Sequence, residues 1–111
     1  MTVVIDDDAL IDLARGLAST RSESGTEGPA VALVVDAMEA LGFEAVRVDD
    51  AGNAIGELGD EAGGRLLIDG HIDSIPLHSQ DRWTVDPFGG EIIDGRLYGL
   101  GICDQKASIA A

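Results

Sequence analysis

One histidine and two aspartates are the residues of this chain best suited to chemistry. His71 and Asp73 lie two positions apart after an apolar run, and Asp104 follows the segment Gly99 to Cys103. Alternate residues of an extended chain point the same way, so the imidazole of His71 and the carboxylate of Asp73 share one side. A carboxylate can hold one ring nitrogen of a histidine while the other binds a metal ion, and a second carboxylate can bridge two ions.

Each of these residues also has a plainer interpretation. His71 and Asp73 could form a polar strand end that is hydrogen-bonded to nearby backbone, and Asp73 could itself bind metal. Asp104 precedes an apolar run at residues 107–111 and could be the N-cap of a helix. A dinucleotide-binding loop at Gly99 is disfavoured, because Asp104 occupies the position of the third glycine. The residues by themselves leave the metal-site and the plainer interpretations open.

Two amphipathic helices are predicted to support these side chains. Acidic residues at positions 6–8 open the first helix, where they suit the positive end of the helix dipole. A second helix is predicted around Pro29, which suits a first helical turn, and Gly42 ends it. Ser24 and Glu27 have the spacing of a capping box for this second helix.

The predicted strands are short. Hairpins are indicated at residues 46–58 and 91–98, the latter turning at Asp94-Gly95. The unbroken apolar run at residues 66–68 predicts a strand buried on both faces, which leads straight towards His71. Helices and strands together predict a three-layer α/β fold, with a mixed sheet flanked by helices.

Composition and charge exclude several classes of function. Twenty-one acidic residues against seven basic ones give a net charge of −14, which argues against a nucleic-acid partner. No stretch approaches the roughly 20 apolar residues of a membrane helix, so no membrane partner is expected. Residues 1–8 lack the features of a secretory leader, which predicts a cytoplasmic protein. The single cysteine, Cys103, allows no internal disulfide and is predicted to be packed.

Taken in order, these segments resemble the amino-terminal part of the M20 family of two-metal peptidases and deacylases. Residues 66–76, Leu-Leu-Ile-Asp-Gly-His-Ile-Asp-Ser-Ile-Pro, are similar to the family's apolar strand and its Gly-His-x-Asp-(Thr/Ser)-Val-Pro motif. Residues 83–88 resemble its Trp-x-x-Asp-Pro-Phe loop, and residues 104–106 resemble its Asp-x-Lys. Within the family, the likeness is to the acetylornithine deacetylase and succinyl-diaminopimelate desuccinylase group.

The resemblance implies a role for each candidate residue. His71 would bind one metal ion, Asp104 would bridge two, and Asp73 would have the catalytic role of orienting His71. The implied cofactors are two divalent ions, zinc first, with cobalt or manganese as alternatives. The implied substrate is a small amide or peptide, cleaved by an N-acyl amino acid deacylase or a small-peptide peptidase. The family also commonly has a cis peptide bond here, between Asp104 and Gln105.

The chain also departs from the family pattern. Leu100 stands where the family usually has arginine, and Ala107-Ser108 stand where it has two glycines. The family's general base, its remaining metal ligands and its lid domain, often a homodimer interface, fall outside these 111 residues. We therefore expect residues 1–111 to be the amino-terminal part of a catalytic domain, inactive by itself. The alternatives are an inactive remnant that binds metal weakly at most, and an acidic interaction module without metal dependence.

Overall fold

The computed structural model describes residues 4–111, and for Glu61 the backbone only. Its helices and strands follow one another in the order α1 (Asp7–Ala18), α2 (Gly28–Ala40), β1 (Glu44–Val48), β2 (Ala54–Glu57), β3 (Ile92–Ile93), β4 (Arg96–Leu97) and α3 (Ala107–Ala110). Within residues 4–111, no helix has the length and apolar character needed to cross a membrane.

The first helix forms as predicted. Asp6 is its N-cap, and the Asp6 carboxylate accepts a hydrogen bond from the backbone N–H of Ala9 at 3.0 Å. Asp7 and Asp8 lie in the first turn, where negative charge opposes the positive end of the helix dipole. The opposite end of α1 is buried, with Leu17 fully inaccessible to solvent. This buried carboxyl end is the part of the helix that contacts the segment carrying Asp104.

The second helix also forms, with Pro29 in its first turn, but the predicted capping box is wrong. Glu27 occupies the N-cap position, and no side chain caps the helix. The Glu27 carboxylate instead accepts a hydrogen bond from the backbone N–H of Gly25, at 2.8 Å. The Ser24 hydroxyl is not free to cap, because it donates to Asp73. A long-range hydrogen bond therefore replaces the local one that the spacing suggested.

A small core lies where the helices meet the carboxyl-terminal segment. Its buried apolar residues are mostly small: Ala14, Leu17, Ala18, Ala30, Val31 and Ile102. Little apolar area is removed from water by such residues, so each large core side chain carries much of the stability. Leu17 is the largest apolar side chain that is fully buried.

The hairpin of β1 and β2 confirms the first predicted hairpin. The strands are antiparallel, with a register irregularity between Glu44 and Arg47. The Asp49 carboxylate orders the turn by accepting hydrogen bonds from the backbone N–H groups of Ala51 and Asn53, at 3.0 and 2.9 Å. Its second oxygen accepts from Nδ2 of Asn53, at 2.9 Å. This turn is defined by local hydrogen bonds.

The predicted buried strand at residues 66–68 is wrong for this structure. Leu66, Leu67 and Ile68 form no strand, and their exposed fractions are 85%, 86% and 83%. A central strand needs a neighbour on each side, and neither antiparallel pair extends to these residues. The mixed sheet of a three-layer fold is likewise not formed, since the described residues hold two separate two-stranded sheets. The coarser α/β character, helices with short strands, is confirmed.

The second predicted hairpin is confirmed in β3 and β4. Asp94 and Gly95 form its turn, and both adopt positive φ, as tight antiparallel connections require. The chain then returns to the core at Ile102. Cys103, predicted to be packed, is exposed, whereas the buried side chains of this segment are those of Ile102 and Lys106.

Candidate metal centre

Two segments of the chain run side by side next to the predicted histidine. The backbone N–H of Ser74 donates to the carbonyl of Ser22 at 2.9 Å. The hydroxyl of Ser22, which is fully buried, donates to the carbonyl of Ile72 at 2.8 Å. The segment that carries His71 and Asp73 is therefore held by the chain that follows α1.

Asp73 lies against the imidazole of His71, as predicted. Its Oδ1 is 3.0 Å from Nδ1 of His71, and its Oδ2 accepts a hydrogen bond from Ser24 Oγ at 2.5 Å. The hydrogen bond from Ser24 is the main cause that lowers the pKa of Asp73, partial burial opposes it, and His71 adds to it. Both carboxylate oxygens are thus engaged, and the charged form is favoured.

The other ring nitrogen of His71 faces Asp104. Nε2 of His71 is 2.8 Å from Oδ1 of Asp104, although 33 positions separate the two residues. The hydrogen bond with Asp104 is the main cause that raises the pKa of His71, burial opposes it, and Asp73 adds to it. The imidazole is therefore clamped between two carboxylates, one on each nitrogen. The sequence prediction that these residues converge is met in the structure.

Asp104 lies in a kinked turn, Ile102–Lys106, which we call the Asp104 turn. Gly101 precedes it with φ of 78°, a left-handed backbone that glycine adopts without a Cβ clash. The backbone N–H of Lys106 closes the turn by donating to the carbonyl of Gly101 at 3.0 Å. The peptide bond between Asp104 and Gln105 is cis, as the family resemblance predicted.

The plainer interpretations of these residues fit less well. Asp104 is not a helix cap, since α3 has Lys106 at its N-cap position and no side chain capping it. The strand-end interpretation of His71 is met in part, because Nδ1 also lies 3.2 Å from the carbonyl oxygen of Asp73. Both nitrogens nevertheless have a carboxylate oxygen as their nearer partner.

A glycine permits the close approach of the two halves of the site. A Cβ built on Gly70 would lie 2.7 Å from Cδ1 of Ile109 and would also collide with the side-chain oxygen of Gln105. The backbone just before His71 therefore abuts the segment just after Asp104. This approach explains how residues far apart in sequence come within hydrogen-bond distance.

Comparison with known proteins is consistent with this arrangement. Residues 67–111 match the family described as Peptidase family M20/M25/M40. The chain is 41% identical over 108 residues to a succinyl-diaminopimelate desuccinylase of Rhodospirillum centenum, and 36% identical over 104 residues to succinyl-diaminopimelate desuccinylase 1 of a Ruegeria species. The family match and these relatives together support the resemblance of this chain to an M20 deacylase fragment. Each alignment covers 91% of this chain but only 28% and 27% of these relatives, so the chain spans less than a third of their length.

In this chain, His71 and Asp104 fit part of a divalent-metal site. An imidazole nitrogen and a carboxylate are donors that zinc accepts, and Asp73 supplies the carboxylate partner that metal-bound histidines usually have. Among the side chains that the structure describes, no group of three or more His, Cys, Asp or Glu residues could hold a metal ion. The described chain thus offers two ligands, whereas a catalytic zinc usually has three protein ligands. The ligand roles of His71 and Asp104 stay predictions.

The two aromatic residues of the loop before β3, Trp83 and Phe88, have different surroundings. The guanidinium of Arg21 lies over the ring of Phe88, 4.4 Å from its centroid, so Phe88 anchors the loop beside the end of α1. Trp83 instead borders an open cleft of about 470 Å³, together with His78, Ser79, Arg82, Thr84, Val85 and Tyr98.

Sequence reasoning missed the polar residues that hold the site together. The sequence pattern assigns Ser24 to a capping box and gives Ser22 no role, yet each donates a hydrogen bond to the segment that bears His71. Lys106 was noted only as part of a motif, yet it is fully buried. A signal was present for the lysine, because it is the only lysine in a chain with six arginines.

Proposed function

We propose that this chain is the amino-terminal part of a metal-dependent hydrolase that cleaves an amide bond in an N-acyl amino acid or a small peptide. The observation that supports it most is the 2.8 Å approach of His71 Nε2 to Asp104 Oδ1, with Asp73 holding the other ring nitrogen. The family match supports the same function, because the relatives named above are desuccinylases. Succinyl-diaminopimelate, an N-acyl amino acid, is thus the first substrate to try.

The chain's own residues would bind and orient. His71 would present Nε2 to one divalent ion, and Asp104 would use its two carboxylate oxygens to bridge two ions, zinc first and cobalt or manganese next. Asp73, fixed by Ser24, would keep Nδ1 protonated and the ring in place. Bound metal would supply an activated water and polarise the scissile carbonyl. The proton acceptor implied by the family is a glutamate outside these 111 residues.

The exposed apolar segment supports a larger fold for the whole protein. Leu66, Leu67 and Ile68 leave more than four-fifths of their surface in water. We propose that in the whole protein they form a central strand of a three-layer α/β catalytic domain. A lid domain with a homodimer interface is part of the same proposal. In a circular dichroism comparison, higher strand content per residue in the whole protein supports this, and equal content opposes it.

Zinc titration tests the metal site directly. We expect the wild-type chain to bind zinc in isothermal titration calorimetry, and His71→Ala and Asp104→Ala each to weaken binding by about tenfold or more. His78→Ala is the matched control, because it removes the other histidine, which lies outside the pair. Zinc binding that is lost equally in the His78 variant, or unaffected in the other two, would contradict the site.

Hydrolysis by the whole protein tests the reaction. We expect a zinc-, cobalt- or manganese-loaded enzyme to release amine from N-succinyl or N-acetyl amino acids, and Asp104→Ala to abolish that release. Absence of turnover on every such amide with all three metals would count against the hydrolase proposal.

A second candidate is a weak metal-binding module without activity, which the two-ligand set of the described residues favours. On this reading the 111-residue chain binds zinc but releases no amine. Measurable turnover by the purified 111-residue chain would exclude it.

A further inference from the structure

The only lysine of the chain is buried, whereas all six arginines are exposed. Lys106 has no solvent-accessible surface. Removing an ammonium from water is unfavourable unless hydrogen bonds replace the lost solvation, and this burial lowers the pKa of Lys106. A charged ammonium in the interior therefore needs hydrogen-bond acceptors that replace its lost solvation.

Those partners are one backbone carbonyl in the last turn of α1 and one just after the helix. Nζ of Lys106 donates to the carbonyl of Leu17 at 2.9 Å and to the carbonyl of Thr20 at 2.6 Å. The carbonyl of Leu17 lies in the last turn of α1, where carbonyls lack intrahelical partners and carry partial negative charge. A compact ammonium can donate to two converging oxygens, whereas the planar guanidinium of arginine has a fixed fork. The lysine is therefore matched to this helix end.

The segment that follows α1 forms hydrogen bonds to both halves of the candidate metal site. Thr20 accepts the hydrogen bond from Lys106, which ends the Asp104 turn two positions after Asp104. Ser22, two positions after Thr20, holds the strand-like segment of His71 through the carbonyl of Ile72. The residues that follow α1 are thus a common support, with one hydrogen bond to the segment of each candidate ligand.

We propose that Lys106 is a positioning residue that fixes Asp104 against His71 by tying the Asp104 turn to the carboxyl end of α1. The metal-ligand role of Asp104 rests on the proposed function above, whereas the tie itself does not. A purely structural role would make Lys106 one more core residue, whose loss lowers stability without a selective effect on the site.

The test separates site geometry from folding stability in matched variants of the 111-residue chain. Lys106→Met keeps most of the unbranched side chain and removes the ammonium. Lys106→Gln, which removes the charge and supplies a neutral amide donor, is used if the methionine variant does not fold. Val31→Ala weakens the core in α2 without touching the tie, and Arg96→Met removes one exposed positive charge. Zinc affinity is measured by calorimetry and stability by chemical denaturation.

We expect Lys106→Met to weaken zinc binding by about tenfold or more, the loss typical of residues that support a metal ligand. Val31→Ala and Arg96→Met should stay within about twofold of the wild type, since neither contacts the site or its support. Wild-type zinc affinity in the Lys106 variant overturns the proposal. An equal loss in Val31→Ala also overturns it, because stability would then account for the effect.

A second measurement works without zinc. Nitrogen-15 NMR of the metal-free chain reports the ring nitrogens of His71, with His78 as the control in the same spectrum. We expect Lys106→Met or Lys106→Gln to shift the His71 Nε2 resonance and to leave those of His78 in place. An unchanged His71 resonance overturns the tie, even where the wild type binds zinc. A wild-type chain that binds no zinc contradicts the proposed function instead, and this spectrum then decides the tie alone.

Discussion

Two stretches of the chain, only a few positions apart, have opposite environments. Residues 72–74 are hydrogen-bonded to Ser22 and Ser24, and Ser74 is buried. Residues 66–68, although wholly apolar, are more than four-fifths exposed. The polar stretch is ordered by partners within this chain, whereas the apolar stretch finds none there. The candidate site is therefore built from hydrogen bonds to the segment that follows α1, without the sheet that the apolar run predicts.

The largest expected effect is a difference between two leucines. Leu17→Ala should lower the free energy of unfolding by about 2–5 kcal/mol, because Leu17 is fully buried. Leu67→Ala, the same change at an 86% exposed position, should stay within about 0.5 kcal/mol. Urea denaturation followed by circular dichroism measures both. A large loss in Leu67→Ala would mean that the apolar stretch packs in solution, and the comparison would fail.

A pair of glycines gives a smaller effect that is specific to the site. Gly52 and Gly101 both have positive φ, so alanine at either position should cost about 1–2 kcal/mol. Only at Gly101 would the new Cβ meet a neighbour, Cβ of Ser74 at 3.0 Å, whereas Gly52 faces open space. We expect Gly101→Ala to cost about 1–3 kcal/mol more than Gly52→Ala, because of overpacking.

The two glycine variants should also differ in their zinc affinity, measured by calorimetry. Gly101→Ala disturbs the contact between the Asp104 turn and Ser74 and should weaken zinc binding, whereas Gly52→Ala should not. Equal stability losses together with equal zinc affinities would show that the turn is not constrained by Ser74.

Local signals account for most of what the sequence predicted correctly. Asp6 to Asp8 before an apolar stripe, Pro29 in a first turn, and Asp94-Gly95 between short apolar runs each act over a few residues, and each corresponding element forms. The strand at residues 66–68 failed because a buried strand depends on neighbours, which an apolar run does not encode. The capping box failed because Ser24 has a partner 49 positions away.

The side-chain types of the candidate site could be predicted from the sequence, but the hydrogen bonds that hold these side chains in place could not. His71, Asp73 and Asp104 are the side-chain types that metal sites use, and motif resemblance paired them before any coordinates. The hydrogen bonds of Ser22, Ser24 and Lys106 join positions that are 49 to 89 residues apart, so no local pattern reveals them. The lone lysine was visible as a composition anomaly, yet its burial required the fold.

The smallest expected effect concerns the exposed turn at Asp49. This turn is ordered by hydrogen bonds although water reaches it, which sharpens the contrast with the exposed residues 66–68. The hydrogen bond from the Asn53 side chain is the main cause that lowers the pKa of Asp49 from its ordinary value of 3.8. A pKa lowered by folding adds stability above pH 3.8, and that stability is lost as pH falls through the folded-state value. Asn53→Ala should therefore raise the pKa of Asp49 and reduce this loss in acid. Carbon-13 NMR titration of the carboxyl group measures the shift, with Gln80→Ala, an amide removed elsewhere, as the control. An unchanged Asp49 pKa in Asn53→Ala would mean that the backbone N–H groups alone order the turn.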